Sequence, residues 1–494
     1  MVSNSTLPPS SRMTARWLAN NPGVQIAVAE ADGDAYSIFQ AQYHDDPAAF
    51  ICDCINWRDD SPAAYQLSAA RELVEQGREG LRGPHGLGKT ALAAWLVHWF
   101  ALTRDGNADW KIPITASAWR QLTKFLWPEI HKWSRRLRWG IIGRGPYNTR
   151  TELLTLSLRL ATGEAFALAS NQADLIEGAH AEELLYVFDE AKSIPDATWN
   201  SAEGAFSIGE CYWIAISTPG TPSGRFYQIH KRAAGYEDWN ARHITLQNAI
   251  DAGRLSEEWA VQRKAQWGEK SAVYQNRVLG EFAADEEDGV IPLSWIELAN
   301  ERWLAWDEAG RPGEFKGVGV DVGRGGDKSV YALRWGEAIE ELRRDNLRDT
   351  MAVAGKVAGI LTAHGGKAIV DVIGVGAGVV DRLREQKFRV GAFNAGEQTG
   401  RTDRSRELGF VDRRSAALWN LREMLDPSNG HEVALPQDDL LTGDLTAPTW
   451  RMMSGGKIKV EEKDAIRKRI NRSTDSADAV VQVMDYQKRG VFVG

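Results

Sequence analysis

Residues 83–90 read GPHGLGKT and have the types and spacing of a phosphate-binding loop. In such a loop glycines let backbone N–H groups turn inward around a phosphate, a lysine adds positive charge, and a hydroxyl ligates Mg²⁺. The residues in these roles are Gly83, Gly86, Gly88, Lys89 and Thr90. The alternative is an ordinary glycine-rich turn. The apolar run from Ala91 to Leu102 weakens it, because that run predicts a buried helix whose N-terminus faces the phosphates.

The loop is therefore expected to bind a nucleotide. The segment before it, residues 79–82, is a poor strand, because it has only one large apolar residue. Upstream, residues 62–75 have the pattern of an amphipathic helix that begins with Tyr65 and Gln66. This aromatic ring and this amide have the groups needed to stack on adenine and to hydrogen-bond to it. The residues alone are equally compatible with a plain surface helix start.

Two carboxylates, Asp189 and Glu190, follow a strongly apolar strand pattern at residues 184–188. In an open α/β sheet, ligands and catalytic residues lie at the carboxyl ends of the strands. These two acids are therefore expected at the edge of the sheet that binds the phosphates. There Asp189 would hold Mg²⁺ through water and Glu190 would polarise the attacking water; helix capping is the alternative. Another buried-type strand, residues 213–216, ends in Ser217 and Thr218, whose hydroxyls are candidates to sense the γ-phosphate.

Further acids stand where strands end or a helix begins in the C-terminal half. Asp321 and Asp371 each close a strand pattern, and Asp475 and Asp478 open a final apolar helix. Such carboxylates suit a pair of Mg²⁺ or Mn²⁺ ions, which activate water and stabilise the departing oxygen in phosphodiester hydrolysis. The GVDVG sequence around Asp321 also occurs in the phosphate sites of actin-like ATPases and sugar kinases. The order of two strand-ending acids before a helix-starting acid favours a nuclease.

Composition limits the classes of protein to which the chain can belong. At 494 residues it is too long for one ordinary core, which predicts two domains. A net charge of -8 argues against a protein that coats nucleic acid by bulk charge, although residues 132–150 and 463–472 are local basic candidates for DNA contact. The three cysteines fit neither a disulfide framework nor a zinc pattern. Without a long apolar run or a signal-peptide core, no membrane association is expected, and the cytosol is the expected location.

The order of elements predicts an α/β protein. Its first part would be a P-loop ATPase domain with a mainly parallel sheet flanked by helices, of the class that carries an additional catalytic glutamate. Residues 153–160 and 164–169 are expected to form a hairpin within it. The predicted divisions are a leader and helical preface at 1–60, the ATPase domain at 61–283, a linker at 284–311 with an acidic stretch at 285–289, and a second domain at 312–494.

Together these motifs resemble the large terminase subunit of tailed bacteriophages over nearly the whole chain. The stretches that carry the resemblance are GPHGLGKT, VFDEA, ISTP, GVDVGRGGDKS, IVDVIGVGAGV and KIKVEEKDAIRKRINRSTDSADA. Thr474 stands where the family usually has proline, which leaves both neighbouring acids in place. The resemblance implies an RNase H-like fold for the second domain. It also implies ATP-driven translocation of double-stranded DNA into a procapsid and metal-dependent endonucleolytic cleavage of concatemeric DNA.

The resemblance also implies roles for particular residues. Lys89 and Thr90 would bind ATP and Mg²⁺, Asp189 and Glu190 would be the metal-binding and catalytic acids, and Ser217-Thr218 would couple hydrolysis to movement. Asp321, Asp371 and Asp478 would ligate the nuclease metals, with Asp475 as an alternative third ligand. Tyr65 and Gln66 coincide with an adenine-contacting motif of the family. An arginine acting in trans is expected, for which Arg82, Arg120 and Arg144 are the candidates.

The implied partners are double-stranded DNA, a terminase small subunit and the portal protein, on which copies of the chain would form a ring. In isolation the chain could be a monomer, and its place of action would be the cytoplasm of the infected bacterium. Two alternatives are retained. One is a translocase or helicase-type ATPase with a catalytically inert RNase H-like domain. The other is a binding module whose phosphate loop only switches conformation.

Overall fold

The computed structural model describes residues 35–169, 180–207, 210–284, 288–323, 328–347, 349–453 and 456–485. Two compact units are present. The N-terminal unit comprises residues 1–256 and 279–282, and the C-terminal unit comprises residues 257–278 and 283–494. Residues 1–34 of the predicted leader, 285–287 of the acidic stretch and 324–327 of the glycine-rich turn after Asp321 lie outside the described residues.

A seven-stranded sheet with the order β3-β4-β2-β5-β6-β1-β7 forms the centre of the N-terminal unit. Every neighbouring pair is parallel except β3 and β4. The strands are β1 Arg78–Arg82, β2 Trp110–Ala116, β3 Ser157–Arg159, β4 Gly163–Ala169, β5 Glu183–Asp189, β6 Glu210–Ser217 and β7 Asn240–His243. The predicted strands and hairpin are confirmed, with a shorter first hairpin strand than expected.

Helices cover this sheet. Those described are Ala35–Tyr43, Pro47–Cys54, Ala64–Gln76, Lys89–Arg104, Trp119–Gln121, Trp127–Ser134, Trp139–Ile142, Asp196–Glu203, Gly224–His230 and Leu246–Asp251. The helix Lys89–Arg104 is buried along almost its whole length, as its apolar run predicted. The helical segment that begins at Trp119 is interrupted by a π turn at Leu122–Leu126 and ends at Ser134. Pro128 follows the π turn, and proline has no N–H to donate to the carbonyl four residues earlier.

The prediction of a poor strand before the phosphate loop was wrong. The segment forms β1, which lies between β6 and β7 and pairs with both in parallel. Its polar residue Glu79 is fully buried, but Asn240 donates to its Oε2 at 2.6 Å and Arg242 Nε lies 3.2 Å from its Oε1. Side chains of the neighbouring strand β7 therefore provide the hydrogen-bond partners of this buried carboxylate. The hydrophobicity of residues 79–82 alone does not reveal these partners.

The C-terminal unit contains a five-stranded sheet with the order β10-β9-β8-β11-β12 and a three-stranded sheet with the order β13-β15-β14. In the larger sheet β8, β9 and β10 are antiparallel neighbours, while β11 and β12 continue from β8 in parallel. The strands are β8 Phe315–Asp321, β9 Ser329–Trp335, β10 Ala338–Asp345, β11 Ala368–Asp371, β12 Val390–Phe393, β13 Gly409–Phe410, β14 Trp450–Met453 and β15 Lys457–Val460. This is an RNase H-like strand order, and the predicted fold class is confirmed.

Helices flank these sheets as well. Those described are Glu257–Trp267, Ala272–Tyr274, Leu293–Glu308, Thr350–His364, Gly376–Glu385, Arg413–Leu425, Asp439–Thr446, Lys463–Ile470 and Asp475–Met484. The helix Leu293–Glu308, expected as a linker, buries Ile296 and Ala299 in the core of the C-terminal unit. The predicted domain boundaries stay predictions. Among the described helices, none combines the length and the apolar character needed to span a lipid bilayer.

Close packing at Gly319 places the last helix against β8. A Cβ atom at this position would lie 2.0 Å from the carbonyl oxygen of Ala479, so a larger residue would push the helix away. The helix Asp475–Met484 therefore lies directly on the strand that ends in Asp321, and this contact brings acids from distant parts of the sequence together.

Candidate active sites

The phosphate loop joins the end of β1 to the start of the helix Lys89–Arg104, beside a cavity of about 500 Å³. Gly86 and Gly88 have φ values of 84° and 73°, a backbone conformation that glycine adopts without steric cost. A Cβ atom on Gly88 would also lie 2.8 Å from Nε2 of Gln66. Small residues are therefore required here. The loop presents the helix N-terminus, with its backbone N–H groups, to the cavity.

Lys89 lies under this loop and is 9% exposed. Its Nζ donates to the carbonyl oxygens of Gly83 at 3.2 Å and Pro84 at 2.7 Å, and to Oγ1 of Thr218 at 3.3 Å. Burial lowers the pKa of Lys89 to about 8, although Glu190 and Asp189 oppose this shift. Burial raises the pKa of Asp189 to about 7, and the adjacent Glu190 contributes to the rise. The strand-end acids and the loop lysine thus share one electrostatic environment.

Glu190 and Ser217 meet across the ends of neighbouring strands β5 and β6. The Ser217 hydroxyl donates to Oε2 of Glu190 at 3.1 Å, and Glu190 has a φ of 47°, in the left-handed region. Such a conformation costs energy in a non-glycine residue and is held by its surroundings. Glu190, Thr218 and Thr90 all line the cavity beside the phosphate loop. The structure therefore collects the predicted ATPase residues at one sheet edge.

Tyr65 and Gln66 contact the phosphate loop itself. The Tyr65 hydroxyl donates to the carbonyl oxygen of Leu87 at 2.9 Å, and Nε2 of Gln66 donates to that of Gly88 at 3.0 Å. Oε1 of Gln66 accepts from the backbone N–H of Ala63 at 2.8 Å. Both side chains therefore hold the loop backbone to the start of the helix Ala64–Gln76. Their predicted contact with adenine stays a prediction.

The three arginines considered for a role in trans lie at different places in the N-terminal unit. Arg82 pairs with Glu281 at 2.7 Å, and Arg144 pairs with Glu152 at 2.7 Å. Arg120 lies on the short helix Trp119–Gln121. The predicted role stays a prediction for each of them.

In the C-terminal unit, Asp321, Asp475 and Asp478 form a cluster in which one oxygen of each lies within 4.8 Å of the others. We call it the acid cluster. Asp321 ends β8, and the other two lie in the first turn of the last helix. The cluster lines a cavity of about 950 Å³. The two acids considered as alternative third ligands thus lie together beside Asp321.

Asp371 ends the neighbouring strand β11 and lines the same cavity, but it is not one of the three clustered acids. Its Oδ1 accepts from the backbone N–H of Ile373 at 2.9 Å. Burial raises the pKa of Asp371, and the charge of Asp478 contributes to the rise. Asp371 is therefore close enough to the acid cluster for the charge of Asp478 to affect its pKa.

Lys463 places a positive charge within the acid cluster. Its Nζ lies 2.9 Å from Oδ2 of Asp321, 3.0 Å from Oδ1 of Asp475 and 2.8 Å from Oδ2 of Asp478. Burial opposes its charge, but the three carboxylates raise the pKa of Lys463 well above its ordinary value. The sequence placed Lys463 only in a basic stretch that was a candidate for DNA contact.

The acids respond differently to this environment. Burial raises the pKa of Asp321 well above its ordinary value, although Lys463 acts in the opposite direction. Burial also disfavours the charge of Asp478, but Lys463 and Arg414 outweigh it and lower the pKa of that carboxyl. Nε of Arg414 lies 3.7 Å from Oδ1 of Asp478, and the Thr474 hydroxyl donates to its Oδ2 at 3.2 Å. The charge of Asp478 is therefore better stabilised than that of Asp321.

Sequence reasoning missed Lys463 and Arg414 as members of this site. For Lys463 a signal existed, since it stands twelve residues before Asp475 in the stretch that carries the resemblance. For Arg414, which begins an ordinary helical pattern, the sequence contains no signal of a role at the acid cluster.

A comparison with known proteins finds one curated relative of the chain. A probable terminase large subunit from Enterobacteria phage P7 is 29% identical to the chain over 164 residues, which are 32% of this chain and 33% of that protein. The resemblance to large terminase subunits is confirmed. The match spans about one third of the length of this relative, and no protein-family model matches the chain.

Solved terminase structures are also similar to the chain. The large terminase of a thermophilic bacteriophage in complex with ADP is 15% identical, with a TM-score of 0.38, over 86% of this chain and 97% of that chain. The nuclease domain of the large terminase subunit gp2 of bacterial virus Sf6 is 18% identical, with a TM-score of 0.34, over 40% of this chain and 99% of that chain.

Proposed function

We propose that the chain is the ATPase and nuclease of a phage DNA-packaging machine. It would move double-stranded DNA into a procapsid at the expense of ATP and cut concatemeric DNA in a metal-dependent reaction. The observation that carries this proposal is the pairing of two sites in one chain. A phosphate loop with Lys89 and Glu190 lies in the N-terminal unit, and three converging carboxylates lie in the C-terminal unit.

The residues of the first site fit a nucleoside triphosphate. Gly88 has a φ of 73° and a Cβ atom there would lie 2.8 Å from Nε2 of Gln66, so this position of the phosphate loop requires glycine, and Lys89 supplies positive charge at the base of the loop. In the proposed reaction the loop N–H groups and Lys89 bind the phosphates, Thr90 and Asp189 hold Mg²⁺, and Glu190 orients the attacking water. Bound ATP supplies the free energy for movement. Ser217 and Thr218 contact Glu190 and Lys89 respectively, so they are placed to transmit a change at the γ-phosphate.

The residues of the second site fit hard divalent cations. Mg²⁺ and Mn²⁺ favour carboxylate oxygens, and the acid cluster supplies these from Asp321, Asp475 and Asp478. Asp371, which lines the same cavity, is the fourth carboxylate that we propose as a metal ligand. The bound ions supply Lewis-acid activation of water and of the departing oxygen. The chain itself must hold the carboxylates in place, and Arg414 and Thr474 do so for Asp478.

The structure also bears on the alternatives. An inert RNase H-like scaffold has no need to gather three carboxylates, two of them buried, within 4.8 Å of one another. A binding module that only switches conformation has no need of a strained glutamate hydrogen-bonded to Ser217. Both observations favour an enzyme in each unit.

The proposed partners are double-stranded DNA, a terminase small subunit that selects the packaging site, and the portal protein of the procapsid. On the portal, copies of the chain would form a ring, and the complex would act in the cytoplasm of the infected host. These partners rest on the resemblance to large terminase subunits.

The test is cleavage of supercoiled plasmid in Mg²⁺ or Mn²⁺, together with an ATPase assay on the same preparations. Asp321→Ala is expected to abolish cleavage and retain ATP hydrolysis, whereas Lys89→Ala should do the reverse. Asp464→Ala is the matched control, because Asp464 lines the acid-cluster cavity without belonging to the cluster. Equal cleavage by the wild-type chain and Asp321→Ala would remove the nuclease from the proposal and favour a translocase with an inert domain.

A further inference from the structure

A second cavity, of about 740 Å³, lies beside the acid-cluster cavity in the C-terminal unit. It runs along β12, the edge strand of the five-stranded sheet. Gln398 and Gln482 line both cavities, so the two are neighbours across these side chains. We call the second one the edge cavity.

The two cavities carry opposite charge. The acid-cluster cavity is lined by seven carboxylates and five basic side chains. The edge cavity is lined by four basic side chains and two carboxylates. Its basic residues are Lys367, Arg384, Arg401 and Arg413. Without bound metal ions, the net negative lining of the acid-cluster cavity therefore disfavours a phosphodiester backbone, whereas the net positive lining of the edge cavity attracts one.

The wall between the cavities contains a polar group that lacks a partner. Gln482 lies on the same helix as Asp475 and Asp478 and is only 2% exposed. Among the described residues nothing hydrogen-bonds to its Oε1. A buried polar atom in this condition costs free energy unless something binds to it. A rotation of the amide by 180° exchanges its oxygen and nitrogen. The group without a partner between the two cavities is therefore either a hydrogen-bond acceptor or a donor, and a ligand can bind to it.

The basic side chains of the edge cavity differ in how firmly they are held. Arg401 pairs with the buried Asp485 at 2.6 Å, and Arg413 lies 3.3 Å from Glu397. Arg384 has a side chain that is 58% exposed and lies 3.9 Å from Asp381, at the limit of an ion pair. Arg384 is therefore the arginine that can exchange its partner for a phosphate at least cost.

We propose that the edge cavity is a binding subsite for the phosphodiester backbone of DNA, next to the bond that is cut at the acid cluster. The inference rests on the nuclease function proposed above. Arg384 contacts a backbone phosphate, and the amide of Gln482 contacts the strand where it passes between the cavities. The edge cavity thus supplies affinity for DNA that the acid cluster cannot supply.

The test measures binding of a fluorescently labelled DNA duplex to the full chain by anisotropy, in EDTA, over a range of salt concentrations. Arg384→Glu is expected to weaken binding severalfold and to reduce the slope of log affinity against log salt by about 0.9, the value for one phosphate contact. Arg382→Glu is the matched control. It lies on the same helix with a 48% exposed side chain and does not line the edge cavity. This control should bind DNA as the wild-type chain does.

A second variant tests the wall. Gln482→Met keeps the length of the side chain and removes its amide, so it should weaken binding of the duplex. The thermal midpoint should be kept or raised, because a buried oxygen without a partner is removed. Hydrolysis of bis(p-nitrophenyl) phosphate in Mn²⁺ reports the acid cluster separately from duplex binding, and it should be unchanged in Arg382→Glu, which lies outside the edge cavity.

Equal affinity and equal salt slope for Arg384→Glu and Arg382→Glu would overturn the inference. Failure of the proposed nuclease function would appear separately, as a wild-type chain that hydrolyses neither plasmid nor the small ester. Binding measured in EDTA does not depend on that reaction.

Discussion

Nζ of Lys463 lies 2.8 Å from Oδ2 of Asp478 and is also within 3.0 Å of Asp321 and Asp475. A side-chain cation thus stands among the same oxygens that we propose as metal ligands. Its charge offsets the mutual repulsion of three converging carboxylates. The same charge must repel a divalent ion that approaches them, so Lys463 both stabilises the acid cluster and opposes metal binding.

Lys463→Ala is therefore expected to bind Mn²⁺ more tightly, by about fivefold or more, because a second positive charge within about 4 Å costs on the order of 1–4 kcal/mol. Without metal the variant should be less stable, since Asp321 and Asp478 remain buried without this partner. The measurement is the rise of the thermal midpoint with Mn²⁺ concentration. Lys468→Ala is the control, as an exposed lysine on the same helix. An unchanged Mn²⁺ dependence in Lys463→Ala would contradict this reading of the contact.

Ser217→Ala is expected to lower ATP turnover by about tenfold, less than the roughly 100-fold that the loss of a catalytic base itself costs, while nucleotide affinity stays close to wild type. The acceptors within reach of the Ser217 hydroxyl are Oε2 of Glu190 and the carbonyl oxygen of Thr218, and neither belongs to the phosphate loop. Turnover and binding of a fluorescent ATP analogue should be measured on one preparation. Ser223→Ala removes an exposed hydroxyl from the loop after β6 and should leave both unchanged. Equal losses of turnover in the two variants would argue against a positioning role for Ser217.

The sequence could predict which strands end in a candidate catalytic or metal-binding acid, because an apolar run followed by an acid is a local pattern. Asp189, Asp321 and Asp371 all lie at the strand ends where this pattern placed them. It could not predict that β1 tolerates the buried Glu79, since the compensating groups come from a strand 161 residues later. Lys463 was missed for a similar reason. Its acidic partners lie on β8 and on the last helix, and only the packing of that helix on β8 brings them together.

Gln66→Leu is expected to weaken the binding of ATP and GTP by a similar factor. Its amide holds Gly88 and Ala63 through backbone hydrogen bonds, so its loss should loosen the phosphate loop whichever base is bound. Each lost bond that leaves a buried partner unsatisfied costs about 1–3 kcal/mol. Equilibrium binding of both nucleotides checks this, with Gln247→Leu as a control in an exposed helix position. Selective loss of ATP binding would instead support the predicted contact with adenine.

Acid is expected to destabilise the N-terminal unit through His98. This residue is fully buried, and its ring nitrogens lie 2.9 Å from the carbonyl oxygen of Ile130 and 3.3 Å from the Tyr147 hydroxyl, which suits a neutral imidazole. Burial lowers the pKa of His98 from 6.5 to about 4. Between these two values the unfolded chain binds a proton that the folded chain does not bind. Stability is therefore complete above pH 6.5 and is lost as the pH falls toward about 4.

The loss amounts to about 3 kcal/mol, since one pKa unit corresponds to about 1.4 kcal/mol. His98→Gln removes the titrating group and should lower stability at neutral pH, but it should flatten the dependence on pH over this window. The thermal midpoint of the N-terminal unit, followed by tryptophan fluorescence, is the measurement. His180→Gln is the control, because His180 is exposed. If His98→Gln keeps the full acid sensitivity of the wild-type chain, the proton is taken up elsewhere and His98 does not cause the loss.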